Sequence, residues 1–349
     1  MTNAKVSFLN SDTVCMDSMK GLLGECQTGN YIGAMPRNRL KAQAKIAVIG
    51  YGSQGRAVTL NFRDSGYDVL VGLPRNSKSK GRAKKDGIKM IGSVRDIVKK
   101  SDIVCFAFPD YLHGRVYRSA IKSCLNDGAT LLFLHGFSVH FGFVQPPKSS
   151  DVLLIAPHAP GIMVREKFLG EKSLSAFYAV HQNPSGNAQK KVLELAGALG
   201  FEKKRLLKTT FEIETIGDLF GEQAVLCGGL TELIKNGFEV LIENGVPPKH
   251  AYLEVAFQLD QIIALIKKYG LEGMYRRISV AAQLGSVETG PFIIDKSVKK
   301  KMRQKFQDIV SGKFGKKLNA MNSADIKALR ARIKKMTNPA FERSVEDFN

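Results

Sequence analysis

The stretch "KIAVIGYGSQGRAVTLNFRDSG", Lys45 to Gly66, decides how the first half of the chain is read. A short β-branched apolar run ends at Gly50. Gly50-x-Gly52-x-x-Gly55 follows with Tyr51, Ser53 and Gln54 between the glycines, and a helical pattern begins at once. A glycine triplet alone is weak, but between a strand and a helix it allows a tight turn. Its glycines let a pyrophosphate approach the free N–H groups of the helix start. The alternative is a Gly-rich turn with only a structural job.

Outward from this turn, short β-branched runs alternate with helical stretches from about 44 to 210. The expected strands are "KIAVIG", "YDVLVGL", "DIVCFAF", "ATLLFLHG", "DVLLIAP" and "LSAFYAV". That alternation predicts a doubly wound, Rossmann-type parallel sheet with crossover helices. Beyond 211 the strand signal fades, and helical spacing over 212–244, 248–269, 297–311 and 323–336 predicts an all-helical domain to residue 349. Residues 1–43 read as an irregular extension.

A dinucleotide site that prefers NADH carries an acid at the end of the second strand to hold the ribose hydroxyls. Here "LVGLPRNSKSKGRAKK" offers Arg75, Ser77, Lys78, Ser79 and Lys80 and no acid. A guanidinium and hydroxyls suit a phosphate dianion, so NADPH is the expected cofactor, with a merely exposed basic loop as the alternative.

The 349 residues are 44% hydrophobic and 24% charged, enough for a sizeable core. No run reaches the roughly 18 apolar residues of a membrane helix, and no secretory signal stands at the N-terminus. Five widely spaced cysteines (Cys15, Cys26, Cys105, Cys124, Cys227) form no C-x-x-C pair, pointing to a cytoplasmic protein with free thiols. The formal charge is +20, concentrated in tracts such as "KSVKKKMRQKFQ". No nucleic-acid module accompanies it, so a solvated helix face that attracts small anions is preferred to nucleic-acid binding.

"TIGDLFGEQAVLCGGLTELI", 215–234, places Asp218 and Glu222 one turn apart among small and apolar residues. Two carboxylates on one helix face repel unless a cation or basic partner lies between them. A hard divalent ion, most simply Mg²⁺, would fill that role; ordinary solvated acids are the alternative. Glu254 and Gln258 repeat the spacing on a second helix.

Taken together, "VIGYGSQG", "LHGFSVHFG", "DLFGEQAVLCGGLTELI", "PPKHAYLE" and "ETGP" resemble the ketol-acid reductoisomerases, in the same order and at similar spacing from about residue 44 onward. The short helical domain resembles the class I form. The resemblance implies an NADPH domain, a knotted helical domain whose site is shared across a homodimer, and Mg²⁺ ions. It further implies an alkyl shift followed by NADPH reduction of a small keto acid, in branched-chain amino-acid biosynthesis.

Carried over residue by residue, Asp218 bridges two metals, Glu222 binds the first, and Glu254 addresses the second from the partner. Ser279 contacts the substrate carboxylate, and His135 is the active-site histidine. Asp110, Gly161, Ser77 and Ser79 join the "GYGSQG" turn around the cofactor, with Arg75 one place after the usual arginine. The pattern breaks at "APHAPGIMVR", where His158 replaces a lysine and Ala159, Ile162 and Met163 replace Gly, His and Thr. It also breaks at Gln258, where a carboxylate is usual, and at Val280 and Gln283. An amide binds Mg²⁺ more weakly than a carboxylate, so reduction of a 2-oxo or imino acid, with the alkyl shift weakened and an imidazole (His135 or His158) as proton donor, is the leading expectation. The full isomeroreductase reaction is one alternative, and a non-catalytic nucleotide- or partner-binding homologue is another.

Overall fold

The computed structural model describes residues 44–170 and 174–348. The extension 1–43, with Cys15 and Cys26, lies outside the described residues. Eight strands form one sheet: β1 Lys45–Ile49, β2 Asp68–Gly72, β3 Met90–Gly92, β4 Ile103–Phe106, β5 Thr130–Phe133, β6 Val152–Pro157, β7 Ala176–Gln182 and β8 Leu206–Lys208. Their order is β3-β2-β1-β4-β5-β6-β7-β8. All neighbours run parallel except β7, which is antiparallel to β6.

The central strands are apolar at nearly every position because helices cover both faces of the sheet. Alternate side chains divide between two cores. Ile46, Val48, Ile103, Cys105, Leu132, Leu153 and Ile155 meet Val58 and Phe62 of helix Ser53–Asp64 and Val192 and Leu195 of helix Ala188–Ala198. Ala47, Ile49, Val104, Phe106, Leu131, Phe133 and Leu154 meet Ile97, Tyr117 and Ile121 on the other side. All six expected strands are present. β3 and β8 went unforeseen because three residues are too short for a periodic signal.

β1 lies between β2 and β4, so the chain winds in opposite directions from it. The crevice at the carboxyl ends of β1 and β4 is the switch point where such folds bind ligands.

From Phe211 onward the described chain is helical. Helix Phe211–Gly221 packs its Ile216, Leu219 and Phe220 against Phe137 and Phe141 after β5 and against Ile309 of helix Lys296–Val310. A second small core joins Phe238, Ala251 and Tyr252 to Phe341 and Val345. Helix Val280–Ile293 was not foreseen, since Gly285, Gly290 and Pro291 interrupt its pattern; Ser279 caps its start by accepting from Ala282 N–H at 3.2 Å.

Two segments beyond Phe211 widen from α- to π-helical bonding. Glu222–Leu226 and Leu253–Phe257 are π-helical turns. A Cβ at Gly228 or Gly229 would collide with the carbonyl of Gln223 or Ala224, so these glycines admit the first turn. No helix among the described residues is long and apolar enough to cross a membrane.

Candidate active site

The nucleotide turn is built by backbone necessity. Gly50 has φ 101°, and a Cβ there would press on the carbonyl of Ala107 after β4. Helix Ser53–Asp64 starts behind Gly52 with no side-chain cap, so its first N–H groups are left for an anion. A second helix, Gly161–Leu169, begins against the same point. A Cβ at Gly161 would strike the Ser53 peptide, which explains glycine there. Gln54 Nε2 donates to the Ala159 carbonyl at 2.9 Å, while its buried Oε1 has no hydrogen-bond partner among the described residues. Two uncapped helix starts, a Cβ-free cradle and an orphaned buried acceptor fit a dinucleotide phosphate group.

Arg75 is exposed between β2 and helix Ser79–Lys85, and the half-buried Ser77 and Ser79 follow it. Ser79 N–H donates to Ser77 Oγ at 3.3 Å, and the Lys80 ammonium donates to the Arg75 carbonyl at 2.7 Å. The segment is thus folded on itself, with hydroxyls and cations together.

A line of polar groups runs from the crevice to the helical part. Asp110 opens the helix after β4, and His135 follows β5. His135 Nδ1 donates to Asp110 Oδ2 at 3.2 Å. Its Nε2 lies 3.4 Å from Asp218 Oδ2, within ion-pair range but poorly directed for a hydrogen bond. Burial opposes the imidazolium, but the Asp110 hydrogen bond and the charges of Asp110, Glu214 and Asp218 outweigh it and raise His135 to about 9. The same pairing overcomes burial at Asp110 and holds its carboxyl below the ordinary range.

Sequence reasoning missed Glu214 and His113. Glu214 is 2% exposed, and its Oε2 accepts from Gly136 N–H at 2.7 Å. Burial, reinforced by nearby Asp218 and Asp110 and only partly offset by His135 and Gly136, pushes it up to about 7. Its signal was available: Glu214, Asp218 and Glu222 are spaced by four along one helix face. His113 is locked by Ser138 Oγ at 2.7 Å and the Phe108 carbonyl at 2.8 Å, and burial keeps it neutral.

Asp218 and Glu222 are not enclosed in an apolar wall; both sit at the exposed end of their helix, where the π turn starts. Burial and then the charge of Asp218 raise Glu222. Two hard oxygen donors that repel each other fit a divalent cation, which would relieve the repulsion. His158, after β6, contacts Ser175 Oγ at 3.0 Å and stands edge-on to Phe177. Burial lowers it against the pull of Asp218, so it is neutral at neutral pH.

Glu254 and Ser279 are exposed, and among the described residues neither bonds to Asp218, Glu222 or His135. Instead the Gln258 amide donates to Glu254 Oε2 at 2.9 Å. Ile162 and Met163 lie exposed on the helix that begins at Gly161. Within one chain the geometry therefore joins the glycine turn, Asp110, His135, His158, Asp218 and Glu222, and leaves Glu254 and Ser279 apart.

Comparison with known proteins gives two family models. Residues 40–204 match "Acetohydroxy acid isomeroreductase, NADPH-binding domain", and residues 211–347 match "Ketol-acid reductoisomerase, C-terminal domain". The chain is 46% identical over 269 residues to the "Ketol-acid reductoisomerase (NADP(+))" of Sulfurisphaera tokodaii, covering 77% of this chain and 81% of that one. It is 42% identical over 304 residues to the protein of the same name from Petrotoga mobilis, covering 87% and 92%. Among solved structures, an NADH-preferring ketol-acid reductoisomerase from an uncultured archean superimposes with a TM-score of 0.82 at 36% identity. That match covers 87% of this chain and 93% of the other.

Proposed function

The chain belongs to the ketol-acid reductoisomerase family, an NADP-dependent oxidoreductase family, and from that premise we propose that it catalyses the full isomeroreductase reaction. The substrate is a 2-hydroxy-2-alkyl-3-oxo acid such as 2-acetolactate, and the product is the 2,3-dihydroxy acid. This replaces the expectation of a reductase with a weakened alkyl shift. Relatives 42–46% identical over most of the chain bear the full name, whereas His158 and Gln258 alone carried the narrower reading.

The observation that carries the proposal is His135 clasped between Asp110 and Asp218 beside the glycine turn. On binding, NADPH supplies hydride and a divalent cation supplies Lewis-acid polarisation of the substrate's oxygens. Gly50, Tyr51, Gly52, Ser53, Gln54, Gly55 and Gly161 form the pyrophosphate cradle, and Arg75, Ser77 and Ser79 take the 2′-phosphate. Asp218 and Glu222 hold the cation. Asp110 orients the His135 ring and keeps a proton on it through neutral pH. Glu214, close to half protonated there, is a second proton store beside it. His158, neutral and facing the charge of Asp218, is a candidate proton relay.

A second copy of the chain completes the site with Glu254 and Ser279. Helix Val280–Ile293 supports this: it has no buried residue in the single chain, and Val280 and Phe292 are 78% and 83% exposed. So much bare apolar surface on one helix is what an obligate partner covers.

Purified protein is assayed with 2-acetolactate and, separately, with the isomerised 3-hydroxy-2-oxo acid, each with Mg²⁺ and NADPH. Oxidation of NADPH with both supports the full reaction. Oxidation with the second alone would return the chain to reduction without migration, and oxidation with neither would leave a binding protein.

A further inference from the structure

Helix Ser79–Lys85 has seven residues, buries only Ala83 and has no side-chain cap at its start. A helix that short does not hold itself in place. At its end, Asp86 receives three side-chain donors on one carboxylate: Tyr51 Oη at 2.9 Å, Arg56 Nε at 2.7 Å and Arg56 Nη2 at 2.8 Å. Arg63 also donates to the Asp86 carbonyl. Tyr51 and Arg56 flank the Gly52–Gly55 turn, and the Tyr51 ring is buried with Leu73, Ala83 and Ile88. The opposite end of the same helix carries Ser77 and Ser79, with Lys80 bonded to the Arg75 carbonyl.

We propose that Asp86 is a positioning residue that ties the pyrophosphate turn to the 2′-phosphate segment, and so sets the preference for NADPH over NADH. The helix is a lever of about 10 Å with its fixed end at Asp86 and its working end at Ser77 and Ser79. The fork of Arg56 on the carboxylate fixes orientation as well as distance, which a single bond would not. Untying it leaves the pyrophosphate turn intact, because Gly50 and Gly161 are set by backbone packing. What loosens is the segment that only a 2′-phosphorylated cofactor touches. The inference rests on the NADPH reading above.

The test uses Asp86→Asn, Arg56→Met and Arg56→Lys, with Glu239→Gln as control. Glu239 pairs with Lys235 and Asn338 in the helical part and shares no partner with Asp86. Dissociation constants for NADPH and NADH are measured by nicotinamide fluorescence, alongside KM and kcat with each cofactor. Asp86→Asn and Arg56→Met are expected to weaken NADPH about tenfold and NADH less than about twofold, with kcat at saturation within about twofold. Arg56→Lys recovers part of the loss, and Glu239→Gln leaves the NADPH-to-NADH ratio unchanged. Parallel weakening of both cofactors would overturn the inference while leaving the enzymatic reading intact. Wild-type protein that binds neither cofactor would overturn both. Should Asp86→Asn fail to fold, the two Arg56 variants decide on the same criterion.

Discussion

Replacing Asp110 with Asn isolates what holds the proton on His135. The change keeps the side chain's shape and removes its charge, while the burial that opposes the imidazolium stays. Lifting His135 from the ordinary 6.5 to about 9 amounts to about 3 kcal/mol in favour of the charged ring, at about 1.4 kcal/mol per tenfold change in proton affinity. Because the folded value lies above the unfolded one, this stability is fully present below pH 6.5. It decays as pH rises and is lost above about 9. Asp110→Asn is therefore expected to cost up to about 3 kcal/mol near pH 6 and little near pH 10. In the same variant the His135 ring should titrate well below its wild-type value, since only Glu214 and Asp218 still favour its charge. NMR titration of the histidine ring protons in metal-free protein reads the second effect. Urea unfolding at the two pH values and fixed protomer concentration reads the first. A His135 that keeps its high value in the variant, or an equal stability loss at both pH values, refutes the reasoning.

Glu214→Gln should flatten the acid-side stability profile. The raised carboxyl makes wild type lose stability as pH climbs from 4.5 through about 7, whereas the neutral amide still accepts from Gly136 N–H. Unfolding curves at about pH 5 and pH 8 check it, and parallel profiles for the two proteins would count against it. Gly161→Ala drives a methyl into the Ser53 peptide and should abolish NADPH binding well before it unfolds the sheet, as seen by fluorescence titration beside circular dichroism. Gln258→Glu adds a carboxylate next to Glu254 and should raise Mg²⁺ or Mn²⁺ affinity by about tenfold, measured calorimetrically on the purified protein; unchanged affinity would place Gln258 away from the cation.

The Rossmann-type half was legible because its strands are buried on both faces, which writes long apolar runs, and because the glycine turn interrupts them at the switch point. β7 was recognised as a strand but not as antiparallel, since its composition carries no sign of direction. Helix Val280–Ile293 was hidden by Gly285, Gly290 and Pro291, residues whose local preference was overridden once Ser279 capped the start. At the site, Asp218 and Glu222 stood out by their spacing. Glu214 stood equally well placed but was passed over, because its meaning comes from Gly136 N–H and His135, which belong to a different strand end. The link from Tyr51 and Arg56 to Asp86 spans 30 and more positions and leaves no periodic trace. Glu254 and Ser279 are exposed in the single chain, and it is the proposed second copy that would bring them to the other site residues.

The two π turns, at Glu222–Leu226 and Leu253–Phe257, carry a consequence for how this helical region can change. Each loop closes around one residue more than an α turn needs, and one residue is worth about 100° of rotation about the helix axis. The direction in which Asp218 points relative to the packing face of Gly228–Glu243 is thus written in the number of residues between them. Straightening the bulge into ordinary helix with the sequence unchanged would therefore swing the downstream face by over a quarter turn against the acids, whereas removing Ala224 would let the helix straighten with that face nearly kept, because the wide turn already absorbs the extra residue. Single-residue deletions and insertions are the edits to which these segments answer.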